Sequence, residues 1–197
     1  FRQEIAPVTV QGRKGETVIN TDEHPRRTSL EQLRSLQPRF LENGVVTPGN
    51  ASGMNDGAAA VVVASAEYAA KRGLKPLARL VSWGVVGVEP QYMGIGPVPA
   101  IRQALEKANL SIDDLDLIEI NEAFSAQYLA CQKELGFEDD KGNVNGGAVA
   151  LGHPLAASGT RITLTLLYEL ARRGKKYGVS SLCIGGGQGI AAIWERL

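Results

Sequence analysis

Apolar and polar positions follow two different regimes along the chain. Residues 1–50 are polar and broken by turn residues: Gly12-Arg13-Lys14-Gly15 predicts a turn, Thr28 to Leu36 a short helix, and Asn43-Gly44 a second turn. The run DGAAAVVVA at 56–64 is short and ends in β-branched residues, so it predicts a buried strand. A helix from Ser65 to Arg72 follows and stops at Gly73. From Leu77 the pattern becomes regular. Leu77 to Val88 predicts a strand; Pro97-Val98-Pro99 opens a helix through Asn109 that carries Ile101, Leu105 and Ala108 on one face. Ser111 to Asp114 reads as a capping box and Leu115 to Ile120 alternates as a strand. Then come a helix from Glu122 to Leu135 ended by Gly136, a short strand at 143–145, a helix from Ser158 to Arg173 closed by Gly174, and strands at 179–184 and 190–195.

From Leu77 onward this is a βαβαβαββ order. It predicts an α/β fold: a mixed five-stranded sheet with helices on both faces, because parallel strands need helical crossovers while the last two strands can close as a hairpin. Asn121 immediately follows one strand, Cys183 sits near the end of another, and His153 lies in a loop that leads into a helix. Ligands of α/β sheets gather at the carboxyl ends of the strands, so these three distant residues are expected to converge.

Composition narrows the function classes. With 197 residues and 44% hydrophobic content the chain can hold one or two domains with a real core. Lys+Arg 21 balance Asp+Glu 21, so no global field recruits nucleic acid or an anionic membrane, and an anionic ligand must be held by local groups. Cys131 and Cys183 are the only cysteines and form no C-x-x-C pair, which argues against a disulfide framework or a zinc site, predicts no bound metal, and favours a reducing compartment. No run of about 18 apolar residues predicts a membrane span, and no leader pattern opens the chain. There is no G-x-x-x-x-G-K-[ST], and no G-x-G-x-x-G follows a first strand.

The chemistry-bearing residues stand among glycines. Gly152-His153-Pro154 and Cys183-Ile184-Gly185-Gly186-Gly187 each set a proton-handling side chain where backbone can approach a ligand closely, and Asn121-Glu122-Ala123-Phe124 adds a carboxamide. Cys131 lies inside a helix with no base or glycine turn beside it and reads as a packing residue. His24, in a polar segment, reads as solvated. Glu122 and Asp56 sit at strand–helix junctions, where a capping or network role is expected before a catalytic one, and Asn121 is also readable as a helix cap.

Taken together, NEAF at 121–124, GGAVALGHPLAASGTR at 146–161 and CIGGGQGIA at 183–191 resemble the C-terminal signatures of the thiolases, the acetyl-CoA acetyltransferase and 3-ketoacyl-CoA thiolase family. DEHPR at 22–26, GNASGMNDGAAA at 49–60 and MGIGPVPA at 93–100 resemble it too, in the family's order. The resemblance spans the whole chain but begins partway through a typical thiolase, and the family's acylated cysteine belongs to an N-terminal half not contained here. It implies that residues 1–75 are the end of a loop region and the last part of an incomplete N-terminal domain, with the C-terminal domain at 76–197.

The same resemblance implies roles. Cys183 would be the acid and base at the α-carbon of the thioester. His153, together with a water held by Asn121, would form one oxyanion hole, His153 would also assist the nucleophilic cysteine, and the Gly185 N–H would belong to a second hole. Arg26 and Ser52 fall where the family contacts coenzyme A, and Phe40, Met93 and Phe124 where the acyl or pantetheine pocket is lined. Arg26 is equally readable as a surface charge, and Phe40 and Met93 as core filler. Coenzyme A and acyl-CoA would be substrates, with no cofactor. The implied partner is the other thiolase half in a homo-oligomer, dimer or tetramer. The compartment is expected to be the cytoplasm, or the mitochondrial matrix or peroxisome in a eukaryote. Without its other half the chain is expected to be inactive, and a non-enzymatic coenzyme-A-binding or interaction module is the alternative.

Two positions depart from the family pattern. Ala156 stands where glycine is usual, and a left-handed backbone there would strain it by about 1 kcal/mol and disturb His153. Ser125 stands where alanine is common. Asn121 with Cys183 favours a thiolase over the related ketoacyl synthases, which pair their cysteine with two histidines.

Overall fold

A computed structural model describes all 197 residues. The order of elements is β1 (Val8–Gly12), β2 (Gly15–Ile19), α1 (Leu30–Arg34), α2 (Ala66–Lys71), β3 (Ala78–Gly87), α3 (Pro97–Ala108), β4 (Leu117–Ile120), α4 (Ser125–Leu135), α5 (Ala148–Leu151), α6 (Ser158–Arg173), β5 (Tyr177–Ile184) and β6 (Gln188–Arg196), with a 3₁₀ turn at Pro90–Ile95. The central sheet runs β3-β6-β5-β4; β4 and β5 are parallel, and β6 is antiparallel to both β3 and β5.

Helices cover both faces of this sheet. All four residues of β4 are buried, as a strand covered on two sides requires. Ile118 and Ile120 point, with Val179, Ala191 and Ile193, into a core shared with α3 and α4. Leu117 points the other way, onto Leu166, Leu167 and Leu170 of α6. Helix α3 lies so close to the sheet that a Cβ on Gly84 would come within 2.2 Å of the Ala100 carbonyl oxygen, so only glycine fits there.

The α/β architecture with a mixed sheet and two helical layers is as the pattern predicts, but the sheet has four strands, not five. The expected strand at 143–145 is reduced to a single parallel bridge of Gly142 to Ile118, with Asn143 N donating to Ile118 O at 2.9 Å, and one side chain. Asn143, at φ 40°, accepts a hydrogen bond from Ile120 N with Oδ1 and donates to Ile120 O with Nδ2, both at 2.8 Å, so its amide imitates a neighbouring strand beside β4. At the opposite edge, α3 treats β3 similarly: Gln103 Oε1 accepts from Val85 N at 3.0 Å and Lys107 Nζ donates to Trp83 O at 2.9 Å.

The first third differs from expectation more widely. The run at 56–64 forms no strand and finds no β partner; Val62 and Val63 are 95% and 88% exposed. Its β-branched composition suits a pleated, covered position, yet no strand of the chain offers it an edge. The turn predicted at 12–15 is present, but it closes an unexpected β1–β2 hairpin, whose ten residues are all exposed and so carry no burial pattern to read. Helix α1 is shorter than expected and begins at a Ser29 capping box completed by Gln32. Helix α4 begins at Ser125, because Asn121 to Phe124 are spent in an extended loop.

Candidate functional site

The parallel pairing of β4 with β5 sends both carboxyl ends to the same sheet edge. Asn121 follows β4 directly; its N–H donates to Ser181 O at 2.9 Å and the residue is 1% exposed. Cys183 lies in the last turn of pairing of β5 and is also buried, on the sheet face that holds Ile120 and Val179. Gly185 is exposed at the start of the following turn. His153, half-buried between α5 and α6, closes the group: Asn121 Nδ2 stands 3.2 Å from His153 Nε2.

Two backbone devices fix His153. Gly152, at φ 93°, holds a conformation that disfavours any side chain, and the Asn55 amide occupies the space where a Cβ would project. The segment at 50–54 then laces the two loops together. His153 N donates to Gly53 O at 2.8 Å, Met54 bridges to His153, Ser52 N donates to Ala123 O at 2.9 Å, Ser125 N donates to Asn50 O, and Ala51 bridges to Phe124. A further tie comes from Glu122, whose carboxylate accepts from Val149 N at the start of α5 and from Ser125 Oγ, and lies against Gly147. The capping role expected for Glu122 is therefore the one it has. Gln127 Oε1 similarly accepts from Ala123 N at 3.2 Å, bracing the Asn121 loop from within α4.

Burial dominates the electrostatics. Burial pushes the His153 pKa below the usual imidazole value, and the Arg161 cation adds to the shift, so the ring is neutral at neutral pH. Burial also raises the Cys183 thiol, which keeps its proton there. Cys131 is a packing residue as expected: burial pushes it up to about 11 despite a hydrogen bond from Gln127, and its thiol donates to Gly94 O at 3.4 Å. Behind the site, burial raises the Glu119 carboxyl to about 8, with Arg161 opposing. Asn121 Oδ1 is buried and finds no hydrogen-bond partner within the chain. A buried carboxamide oxygen of this kind is an acceptor held ready for a water or ligand.

The other expected contact residues divide. Ser52 and Phe124 join the site through the backbone bonds just described. Phe40, although 71% exposed, meets Phe124 edge to face with ring centroids 6.2 Å apart. Met93 is partly buried in the 3₁₀ turn, and Arg26 is exposed without an ion pair. His24 is not free in solvent: its ring packs on Gly53, where an added Cβ would meet Cε1 at 2.4 Å. Ala156 has no left-handed backbone, so the expected strain is absent; its side chain is exposed. Ser125 is accommodated by donating to Glu122 Oε1 at 3.1 Å. The sequence reading missed Ser158, fully buried with Oγ 2.6 Å from His153 Nδ1, and Arg161 behind it. Neither carried a signal in the sequence, because the loop between His153 and α6 gives their spacing no fixed geometry.

Comparison with known proteins places this arrangement. The thiolase C-terminal domain matches residues 74–196 and the thiolase N-terminal domain residues 1–67, and the chain belongs to the thiolase family. It is 56% identical over 199 residues to an acetyl-CoA acetyltransferase of Syntrophomonas wolfei, and 58% identical over 197 residues to the mitochondrial 3-ketoacyl-CoA thiolase of Bos taurus; each match covers 100% of this chain and 50% of the relative. Among solved structures, the Bacillus anthracis acetyl-CoA acetyltransferase superposes with a TM-score of 0.95 at 53% identity, covering 98% of this chain and 49% of that one. The human mitochondrial 3-ketoacyl-CoA thiolase in complex with CoA gives 0.85 at 51%, covering 91% and 46%. The chain thus spans about half the length of the curated relatives it matches. No helix is long and apolar enough to cross a membrane.

Proposed function

We propose that the chain supplies the proton-transfer and oxyanion half of a thiolase site, acting with a second thiolase portion that carries the nucleophilic cysteine. In this reading residues 1–75 complete an N-terminal domain and 76–197 form the C-terminal one. The observation that carries it is the contact between Asn121 and His153, set at the strand edge where Cys183 also ends.

In the cleavage direction the supplied thiolate attacks the 3-carbonyl of a 3-ketoacyl-CoA. The bond between carbons 2 and 3 then breaks, leaving an acyl-cysteine and the enolate of acetyl-CoA. Cys183, protonated in its buried setting, gives its proton to carbon 2. The Cys183 thiolate next takes the proton of the incoming coenzyme A thiol, whose sulfur attacks the acyl-cysteine and releases the shortened acyl-CoA. Condensation is the same sequence reversed. His153 receives the proton of the supplied cysteine through Nε2; the N–H so formed, with a water on Asn121, faces the enolate oxygen, while the Gly185 N–H serves the acyl transfer step. Ser52 and Arg26 are the proposed contacts for coenzyme A, and Phe40, Met93 and Phe124 line the acyl and pantetheine path. A homo-oligomer is the expected assembly of the complete protein.

The test is thiolysis of acetoacetyl-CoA and of a longer 3-ketoacyl-CoA by the chain alone and with a polypeptide supplying the other half. Turnover in the mixture only, lost in Cys183→Ala, supports the reading. A stable mixture that binds coenzyme A without turnover leaves the binding-module reading, which the exposed Val62 and Val63 favour because they offer a surface for association.

A further inference from the structure

The catalytic reading leaves open what decides which nitrogen of His153 carries the proton, and Ser158 stands at that point. We propose that Ser158 is a positioning residue that holds neutral His153 in its Nδ1–H form and presents a bare Nε2 to the site. The inference rests on the thiolase reading only for its consequence, not for its geometry.

Ser158 Oγ lies 2.6 Å from His153 Nδ1 and 3.1 Å from Pro154 O. Pro154 O also accepts from Ala157 N and Ser158 N, each at 2.8 Å, so the direction is set at the other end: the Asn121 Nδ2 donor calls for a lone pair on Nε2, which puts the ring hydrogen on Nδ1, and Oγ then accepts from Nδ1–H and turns its own hydrogen to Pro154 O. A neutral imidazole protonated at Nδ1 has a lone pair at Nε2. That lone pair faces Asn121 Nδ2 at 3.2 Å, a donor. The directions agree along the whole chain of bonds, from Asn121 through His153 and Ser158 to Pro154. Reversing Ser158 would place an N–H of His153 against an N–H of Asn121, unless the carboxamide also turned over.

The polarity has two consequences. It points the carboxamide of Asn121 so that Oδ1, buried and unpaired, is the face offered to a ligand or water. It also makes Nε2 a base in the resting state and leaves Ser158 as acceptor once both ring nitrogens carry protons. The hydroxyl therefore performs, without charge, the orienting task that a carboxylate performs for other catalytic histidines. Ser158 is fully buried at the first residue of α6, so its rotamer is fixed by packing and not by solvent.

The experiment is long-range ¹H–¹⁵N spectroscopy of the imidazole rings in the native protein that carries this chain, at a pH where His153 is neutral. The chain has only two histidines, and the His153 signals are assigned by their loss in His153→Asn. The expected wild-type pattern is protonated Nδ1 and unprotonated Nε2, in excess by about tenfold, as one net hydrogen bond allows. Ser158→Ala is expected to abolish that excess and Ser158→Thr, which keeps the hydroxyl, to restore it. A wild-type spectrum dominated by the Nε2–H form overturns the proposal without any variant having to fold, and so does an unchanged ratio in folded Ser158→Ala. Because the readout needs no turnover, an inactive protein with the expected spectra would sink the thiolase reading and leave the role of Ser158 standing.

Discussion

The chain divides into a part that packs on itself and a part that does not. Before Ser82 only Ala69 is buried, whereas from Ser82 onward the sheet and its two helical layers enclose Ile101, Leu115, Ile118, Ile120, Leu166 and Ile193 almost completely. Yet the unpacked part is the one that ties the site together, through the backbone of residues 50–55. Conformation in that region is fixed by hydrogen bonds to the NEAF and GHP loops and not by burial of its own side chains. The two regions therefore have different weaknesses: the first is sensitive to backbone and glycine changes near 50–55, the second to volume changes in the core.

The largest expected effect breaks this contrast directly. In the isolated chain Ile101→Ala should cost about 2–5 kcal/mol in urea unfolding, while Val62→Ala costs close to nothing; similar losses would mean that 56–64 is packed after all. With a polypeptide supplying the proposed second portion added, a Val62→Ala cost emerging in the same measurement would show that this polypeptide covers it. Under the proposed thiolase function, Asn121→Ala should reduce thiolysis by the chain mixed with a polypeptide supplying the second portion by roughly 10²–10³ with folding retained, as judged by steady-state rates and circular dichroism.

A third prediction concerns pH. The folded Glu119 pKa is raised to about 8 from an unfolded value of 4.5, so the folded state holds the extra proton in that window. Its contribution is intact below pH 4.5 and declines as pH rises towards 8, by up to about 1.4 kcal/mol per pH unit. Glu119→Gln should flatten that decline in urea titrations at several pH values. Removing the tie between the loops is expected to matter less: Glu122→Ala, which unpairs Val149 N, should cost about 1–3 kcal/mol and speed hydrogen exchange at that amide. The smallest effect is Ala156→Gly. With ordinary backbone at that position, glycine should destabilise by about 0.4–1 kcal/mol in thermal unfolding, whereas a gain would reveal hidden strain.

Much of the packed region was legible because its side chains obey the periods of covered elements. The alternation through Leu115 to Ile120 and the stripe of Ile101 and Leu105 fixed strands and helices to within a few residues, and turn glycines marked the ends at 136 and 174. Legibility failed where a position answers to something other than local burial. Asn143 carries no strand pattern because its amide replaces a strand, and the β1–β2 hairpin is exposed on both faces. The valines at 61–63 do spell a buried strand, but nothing in this chain covers them. In the candidate site, the meeting of Asn121 and His153 could be expected from their setting at a strand end and among glycines. Ser158 could not, because a serine at a helix start is an ordinary residue until the hydroxyl is seen against Nδ1.

The substitution of a side chain for a strand also governs how this sheet meets other molecules. A sheet edge with free N–H and C=O groups is a template for further strands. Here Asn143 occupies the outward groups of Ile120 on β4, and Gln103 and Lys107 occupy those of Val85 and Trp83 on β3. Each margin of the sheet is thereby stoppered at one point, where a further strand would have to displace these side chains. The segment at 56–64, with Val62 and Val63 exposed, carries no such stopper.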